Sequence, residues 1–268
     1  MRLEARRLAF GYPGHPVGAQ ADLGVDRGEV LALLGPNGSG KTTLFKTLLG
    51  LLPPQGGDVW IAGQRLASLS RRRIAHHLAY VPQAHAPPFP FSVRDVVLMG
   101  RTARLKPFAQ PTAQDHEAAQ GALDALGIGM LAAHDYTRIS GGQRQLALIA
   151  RALAQEADVL IMDEPTASLD FGNQARVLAH VAQLKSRGLA IVLSTHDPDH
   201  ALSVATRVAL LEGGRILADG KPEAVVTSAS LSRIYGVPVG VERLASGRLV
   251  TFADMERSAG AEGHPPRS

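Results

Sequence analysis

The sequence predicts an α/β fold built on buried parallel strands. Short apolar runs recur along the chain with helix-like segments between them. One of these runs leads straight into a glycine-rich loop that opens a helix. A Gly-Gly pair between two further runs reads as a hairpin. The first run is 29–34 (EVLALL), followed at once by Gly35. The others are 158–162 (DVLIM), 189–194 (LAIVLS) and 208–211 (VALL), the last leading through Gly213-Gly214 to Ile216-Leu217. Helix 42–50 ends at Gly50, with Pro53-Pro54 soon after. A second helix, 112–126, puts Ala118, Ala122, Leu123 and Leu126 on one side. The third, 143–154 (QRQLALIARALA), puts Leu146, Ile149, Ala150 and Leu153 on one face, with Ser140 placed as its N-cap. Residues from about 87 to 155 therefore read as a helical insertion between sheet-rich halves, entered through Pro87, Pro88 and Pro90. The Gly/Pro/charge-rich tail, 258–268, is expected to be disordered. No internal repeat is visible.

The chain has 268 residues and a net charge of +4, with 45% hydrophobic and 19% charged residues. This balance excludes wholesale disorder. No uncharged apolar run reaches the roughly 18 residues of a membrane-spanning helix, so none is expected. Residues 1–10 carry Arg2, Glu4, Arg6 and Arg7 and do not read as a secretory signal. The absence of cysteine excludes disulfides, thiolate metal sites and a cysteine nucleophile, and agrees with a reducing cytosol. An aromatic content of 4% argues against stacking platforms for single-stranded nucleic acid, and no nucleic-acid partner is expected.

Gly35-Pro36-Asn37-Gly38-Ser39-Gly40-Lys41-Thr42 fits G-x-x-x-x-G-K-[ST] between a predicted strand and a predicted helix. Glycines let backbone amides curl around phosphate oxygens, and the helix N-terminus adds positive potential. Lys41 would reach the β- and γ-phosphates, and the Thr42 hydroxyl would bind Mg²⁺. Thr43 belongs to the same nucleotide site. In 159–164 (VLIMDE), an apolar strand ends in two carboxylates. Alone they could be a solvated acid pair. Beside a phosphate loop, Asp163 would hold Mg²⁺, and Glu164 could orient or deprotonate an attacking water.

Ser140-Gly141-Gly142-Gln143 opens the strongest amphipathic helix and makes a second anion-binding helix N-terminus; a helix cap with a flexible Gly-Gly lead is the alternative. One nucleotide needs one phosphate loop. Two such constructions in one chain suit a head-to-tail pair that clamps each nucleotide between subunits.

Over about residues 1–240 the chain resembles the ATP-binding subunit of ABC transporters. Gly35 to Thr42 matches Walker A. Ser140 to Gln143 matches the signature motif, with Ile139 where Leu is usual. Asp163 and Glu164 match Walker B and the catalytic glutamate. Gln83 in Tyr80-Val81-Pro82-Gln83 matches the Q-loop, Ser168-Leu169-Asp170 the D-loop, and His196 in Ser194-Thr195-His196-Asp197 the switch histidine. The resemblance implies a P-loop NTPase with a RecA-like mixed sheet core, an antiparallel β edge and the inserted helical subdomain, followed by an extension, 241–257. It implies ATP and Mg²⁺ as cofactors and hydrolysis by in-line attack of water. Gln83 would join Mg²⁺ and the water to the helical subdomain, and His196 would touch the γ-phosphate. Tyr12 in Phe10-Gly11-Tyr12 matches the aromatic that stacks on adenine, an edge-strand tyrosine being the alternative. Asp170 would cross a dimer interface, cap a helix, or do both.

Segment 91–101 (FSVRDVVLMGR) looks like the T-V-x-x-x-V-x-x-G-R stretch of importers for iron–siderophores, haem, cobalamin and molybdate or tungstate. Arg144-Gln145, Ala154-Gln155, Gln174, the segment 220–227 and Tyr235-Gly236-Val237 look like the same group. The implied assembly is an ATP-bound homodimer with two integral membrane permease subunits, and indirectly a substrate-binding protein. It would place the chain peripherally on the cytoplasmic face of the cell membrane. The permease would dock near Gln83 and 87–105. Another ABC importer or exporter, and a soluble non-transport ABC ATPase, are the alternatives.

Overall fold

The computed structural model describes residues 1–83, 90–106 and 108–254. The expected loop residues Pro87 and Pro88 and the tail 258–268 lie outside them. Strands β1 (Leu3–Tyr12) and β2 (His15–Val25) pair antiparallel across the Pro13-Gly14 turn. Next come β3 (Val30–Leu34), α1 (Lys41–Leu48), β4 (Gly56–Ile61) and the short β5 (Gln64–Arg65). After α2 (Arg71–His77) and β6 (Leu78–Val81) the chain enters its helical stretch, α3 (Val93–Leu98), α4 (Ala113–Ala125) and α5 (Gly141–Ala154). It returns through β7 (Val159–Met162), α6 (Phe171–Ser186), β8 (Ala190–Thr195), α7 (Pro198–Val204), β9 (Arg207–Glu212) and β10 (Arg215–Gly220). It closes with α8 (Pro222–Val225), α9 (Ser228–Tyr235), β11 (Val239–Arg243) and β12 (Leu249–Ala253).

The central sheet has the order β10-β9-β3-β8-β7-β6, parallel except for the β9–β10 hairpin. Its strands read as continuous apolar runs because both faces are covered. Leu31, Leu33, Ile161 and Val192 pack toward α1 and the N-terminal strands. Their neighbours Ala32, Leu34, Leu160, Met162 and Leu193 pack toward the helical layer. The antiparallel strands β2-β1-β4-β5 form a sheet of their own, and β10 adds the antiparallel edge of the central one. β11 starts at Val239, ahead of the expected boundary at 240, and pairs with β12 as a β-hairpin that ends at Ala253.

Side-chain caps explain the helix starts. Ser140 with Gln143 and Thr112 with Asp115 are capping boxes for α5 and α4. The face of α4 differs from the expected one: Asp115, Ala119, Ala122 and Leu123 are buried, whereas Ala118 is half-buried. Asp115 goes inside because Arg101, itself 5% exposed, donates Nε to its Oδ1 at 2.9 Å. The same guanidinium donates to the Ala154 carbonyl at 2.7 Å and pairs with Glu156 at 2.8 Å, tying the start of α4 to the end of α5. Gly100 permits this, since a Cβ there would collide with the Arg151 carbonyl. Among the described residues no helix is long and apolar enough to cross a membrane.

Candidate active site

The loop after β3 is held from three sides. Gly35 N donates to the Thr195 carbonyl at 3.3 Å, which ties the loop to the end of β8. Gly214 N, in the β9–β10 turn, donates to the Ser39 carbonyl at 3.1 Å. Gly40 has φ 102, which an L side chain rarely adopts, and a Cβ there would press on Val17. α1 then starts at Lys41. Lys41 is 5% exposed, and its Nζ donates to the carbonyls of Gly35 (2.8 Å) and Pro36 (3.0 Å). The same nitrogen lies 3.2 Å from Glu164 Oε1.

β7 delivers the two carboxylates. Asp163, 4% exposed, accepts from Ser194 Oγ at 2.7 Å through Oδ1 and from the Tyr80 hydroxyl at 3.3 Å through Oδ2. Burial, and then the Asp163 charge, push the Tyr80 hydroxyl far up its scale, so it stays a donor. Glu164 has φ 45, a left-handed conformation for a non-glycine residue. Its N–H donates to the same Ser194 Oγ at 2.9 Å, and its Oε2 lies 3.1 Å from His196 Nδ1. One buried serine on β8 thus fixes the Asp163 carboxylate and the backbone of Glu164 at the end of β7.

Lys41, Asp163 and Glu164 line a cleft of about 440 Å³ with Val17, Asn37, Gly38, Gly40, Thr42, Thr43 and Gln83; His196 reaches it only through Glu164. Gln83 also borders an apolar groove of about 190 Å³ with Phe91, Val96, Met99, Tyr136 and Leu148. Backbone amides at a helix start together with a lysine could take a polyphosphate. A carboxylate beside a histidine could position a water and receive its proton.

The remaining expected residues sit elsewhere in the chain. Ser140 accepts from Gln143 N at 3.2 Å, and Gln143 Oε1 accepts from Ser140 N at 2.9 Å, so the two cap the start of α5. Gly142 faces α6, where a Cβ would collide with the Asn173 side chain. Asn173 is in turn held by Asp170, the N-cap of α6, which accepts from its N and Nδ2, both at 2.8 Å. Tyr12, 41% exposed, lies beside α1, with Lys46 Nζ 5.8 Å from its ring centroid. It is not among the residues lining the cleft. Four residues were given no role in the site from sequence: Ser194, Tyr80, Gly214 and Val17. Ser194 left one signal, a hydroxyl at the end of an apolar run.

The ABC transporter family matches residues 19–167. An uncharacterised ABC transporter ATP-binding protein of Haemophilus influenzae is 45% identical over 88% of this chain and 89% of that protein. A hemin import ATP-binding protein of Nocardia farcinica is 41% identical over 89% of this chain and 82% of that protein. Among solved structures, an inward-facing transporter described as of metal-chelate type superposes with a TM-score of 0.83, at 32% identity, over 95% of this chain and 99% of that one. The P-loop fold, the carboxylate-bearing cleft and these relatives agree: the chain belongs to the ABC transporter family, as one of its nucleotide-binding ATPase subunits.

Proposed function

We propose that the chain is the ATP-hydrolysing subunit of an importer that powers uptake of a metal chelate or an oxyanion through a separate permease. The observation that carries this is the convergence of Lys41, Gln83, Asp163 and Glu164 on one cleft at the phosphate loop, with His196 against Glu164. The phosphate loop, Lys41, Thr42 and Thr43 bind the triphosphate, and Tyr12 stacks on adenine. Among the described residues no group of three or more His, Asp or Glu could hold a metal by itself. That suits Mg²⁺, which keeps waters and phosphate oxygens as ligands and takes few from protein. Thr42, Asp163 and Gln83 would hold it, and it would neutralise phosphate charge. Glu164 orients the attacking water and takes its proton, and His196 stabilises charge at the γ-phosphate.

Ser140, Gly141, Gly142 and Gln143 complete this site on a second copy, with Asp170 at the same interface, so ATP closes a homodimer and hydrolysis releases it. Two permease subunits dock at the groove beside Gln83 and hold the chain on the cytoplasmic face of the membrane. A substrate-binding protein delivers the cargo to them. Residues 1–240 are the cassette, with the helices of 87–155 as its signature-bearing part. The hemin-import relative and the metal-chelate neighbour favour a chelate as cargo.

Glu164→Gln tests the chemistry. The variant should bind ATP, lose turnover by about a hundredfold or more, and elute as an ATP-dependent dimer on size exclusion. Turnover within a few-fold of the parent chain would refute the role of Glu164.

A further inference from the structure

The elements after β10 reach back to the loop that carries His196. Tyr235, the last residue of α9, donates its hydroxyl to the His196 carbonyl at 2.6 Å. Gly236, at φ 69, caps the helix immediately afterwards and fixes where that tyrosine stands. From the hairpin, Thr251 donates its N–H (3.0 Å) and its Oγ1 (3.2 Å) to Asp199 Oδ1, in the first turn of α7. The hairpin is itself pinned to α9, since Val239 N donates to Ser232 Oγ at 2.8 Å and Val241 N to Ser228 Oγ at 3.0 Å. The loop between β8 and α7 is therefore gripped at His196, and the start of α7 at Asp199, by one C-terminal unit. On its other side the His196 ring meets Glu164. Burial, then the charges of Asp197 and Glu164, raise the Tyr235 hydroxyl far above its ordinary value, so it remains a donor at working pH.

We propose that Tyr235 is a positioning residue for hydrolysis: through the His196 carbonyl it sets how the His196 ring meets Glu164, and the β11–β12 hairpin holds that setting through Asp199. The inference rests on the reading of His196 as the residue that acts at the γ-phosphate. It also gives the C-terminal extension a task inside the ATPase cycle. A carbonyl held by a half-buried phenol is restrained, and with it the ring of the same residue, which meets Glu164.

The test is Tyr235→Phe in the full chain, alone and combined with His196→Ala. ATP affinity, KM, kcat and melting temperature are measured, with radiolabelled ATP to follow residual turnover. Tyr235→Phe should lower kcat about fivefold, the scale of one hydrogen bond, leave ATP affinity and KM unchanged, and lower the melting temperature by no more than about 2–4 °C. In the His196→Ala background the second substitution should cost nothing further, because both act through one ring. Equal losses in both backgrounds, or a fall in melting temperature well beyond that of one hydrogen bond, would make Tyr235 a packing residue and overturn the inference. Impaired His196→Ala with unimpaired Tyr235→Phe would overturn it alone. Normal turnover by His196→Ala would overturn the assignment of His196, and this inference with it.

Discussion

Ser194→Ala removes one oxygen from a side chain that is 0% exposed. That oxygen makes two bonds, a donation to Asp163 Oδ1 at 2.7 Å and an acceptance from Glu164 N at 2.9 Å. The first is charge-assisted and contributes about 1.5–3 kcal/mol. Losing the second leaves a part-buried N–H unpaired at a cost of about 1–3 kcal/mol. Because Glu164 sits at φ 45, its backbone has a ready escape once that N–H is released. A net destabilisation of about 2–4 kcal/mol follows. Urea unfolding of the full chain, followed by far-UV circular dichroism, reads it as a lower midpoint with unchanged slope. In the ATPase assay kcat should fall by about 10- to 100-fold, the scale of losing 1.4–2.8 kcal/mol of transition-state stabilisation. A variant within about 0.5 kcal/mol of the parent, the ordinary range for surface substitutions, and with normal turnover would refute the claim that Ser194 fixes the Asp163 carboxylate and the Glu164 backbone.

Two further substitutions probe other parts of the chain. Gly142→Ala would push the Asn173 amide off Asp170 Oδ2, a bond of 2.8 Å; ATP binding by the single chain should persist, while ATP-driven dimerisation on size exclusion and turnover are lost. The Asp115 carboxyl is pulled from 3.8 to about 2, first by the backbone and side chain of Thr112 and then by Arg101. Since the folded pKa is the lower one, the stability it contributes is fully present above about pH 4 and is lost as pH falls through about 2. Asp115→Asn should therefore flatten the urea-midpoint profile between pH 4 and 2.

The central strands were legible because neither face meets water, so runs such as 29–34 carry no polar interruption. β1 was not. Its buried apolar side chains are Leu3 and Ala5, then Leu8 and Phe10, and the bulge between Ala5 and Leu8, with Arg7 at φ 46, breaks the two-residue period. The face of α4 was misread at Ala118 because an apolar template cannot find Asp115, a charged residue buried only by virtue of Arg101. The phosphate loop and the carboxylate pair carry their chemistry in residue type and spacing. Ser194 and Tyr80 do not: a hydroxyl or phenol in an apolar run shows nothing of what it faces until the order β8-β7-β6 sets the strands side by side. Tyr235 and Thr251 were hidden by distance, being 39 and 52 residues from the groups they hold.

The short link between Lys41 and Glu164 changes how nucleotide affinity should be read. The ammonium is already satisfied by two carbonyls and a carboxylate, so the arrival of a triphosphate is an exchange of anions around one cation. In Glu164→Gln the competing charge is gone before the nucleotide enters. Tight trapping by that variant therefore sums two effects, a stalled chemical step and a cheaper entry. Measured with a non-hydrolysable analogue, only the second survives, and its size sums the hold of the resting carboxylate on the lysine and its repulsion of the incoming phosphates.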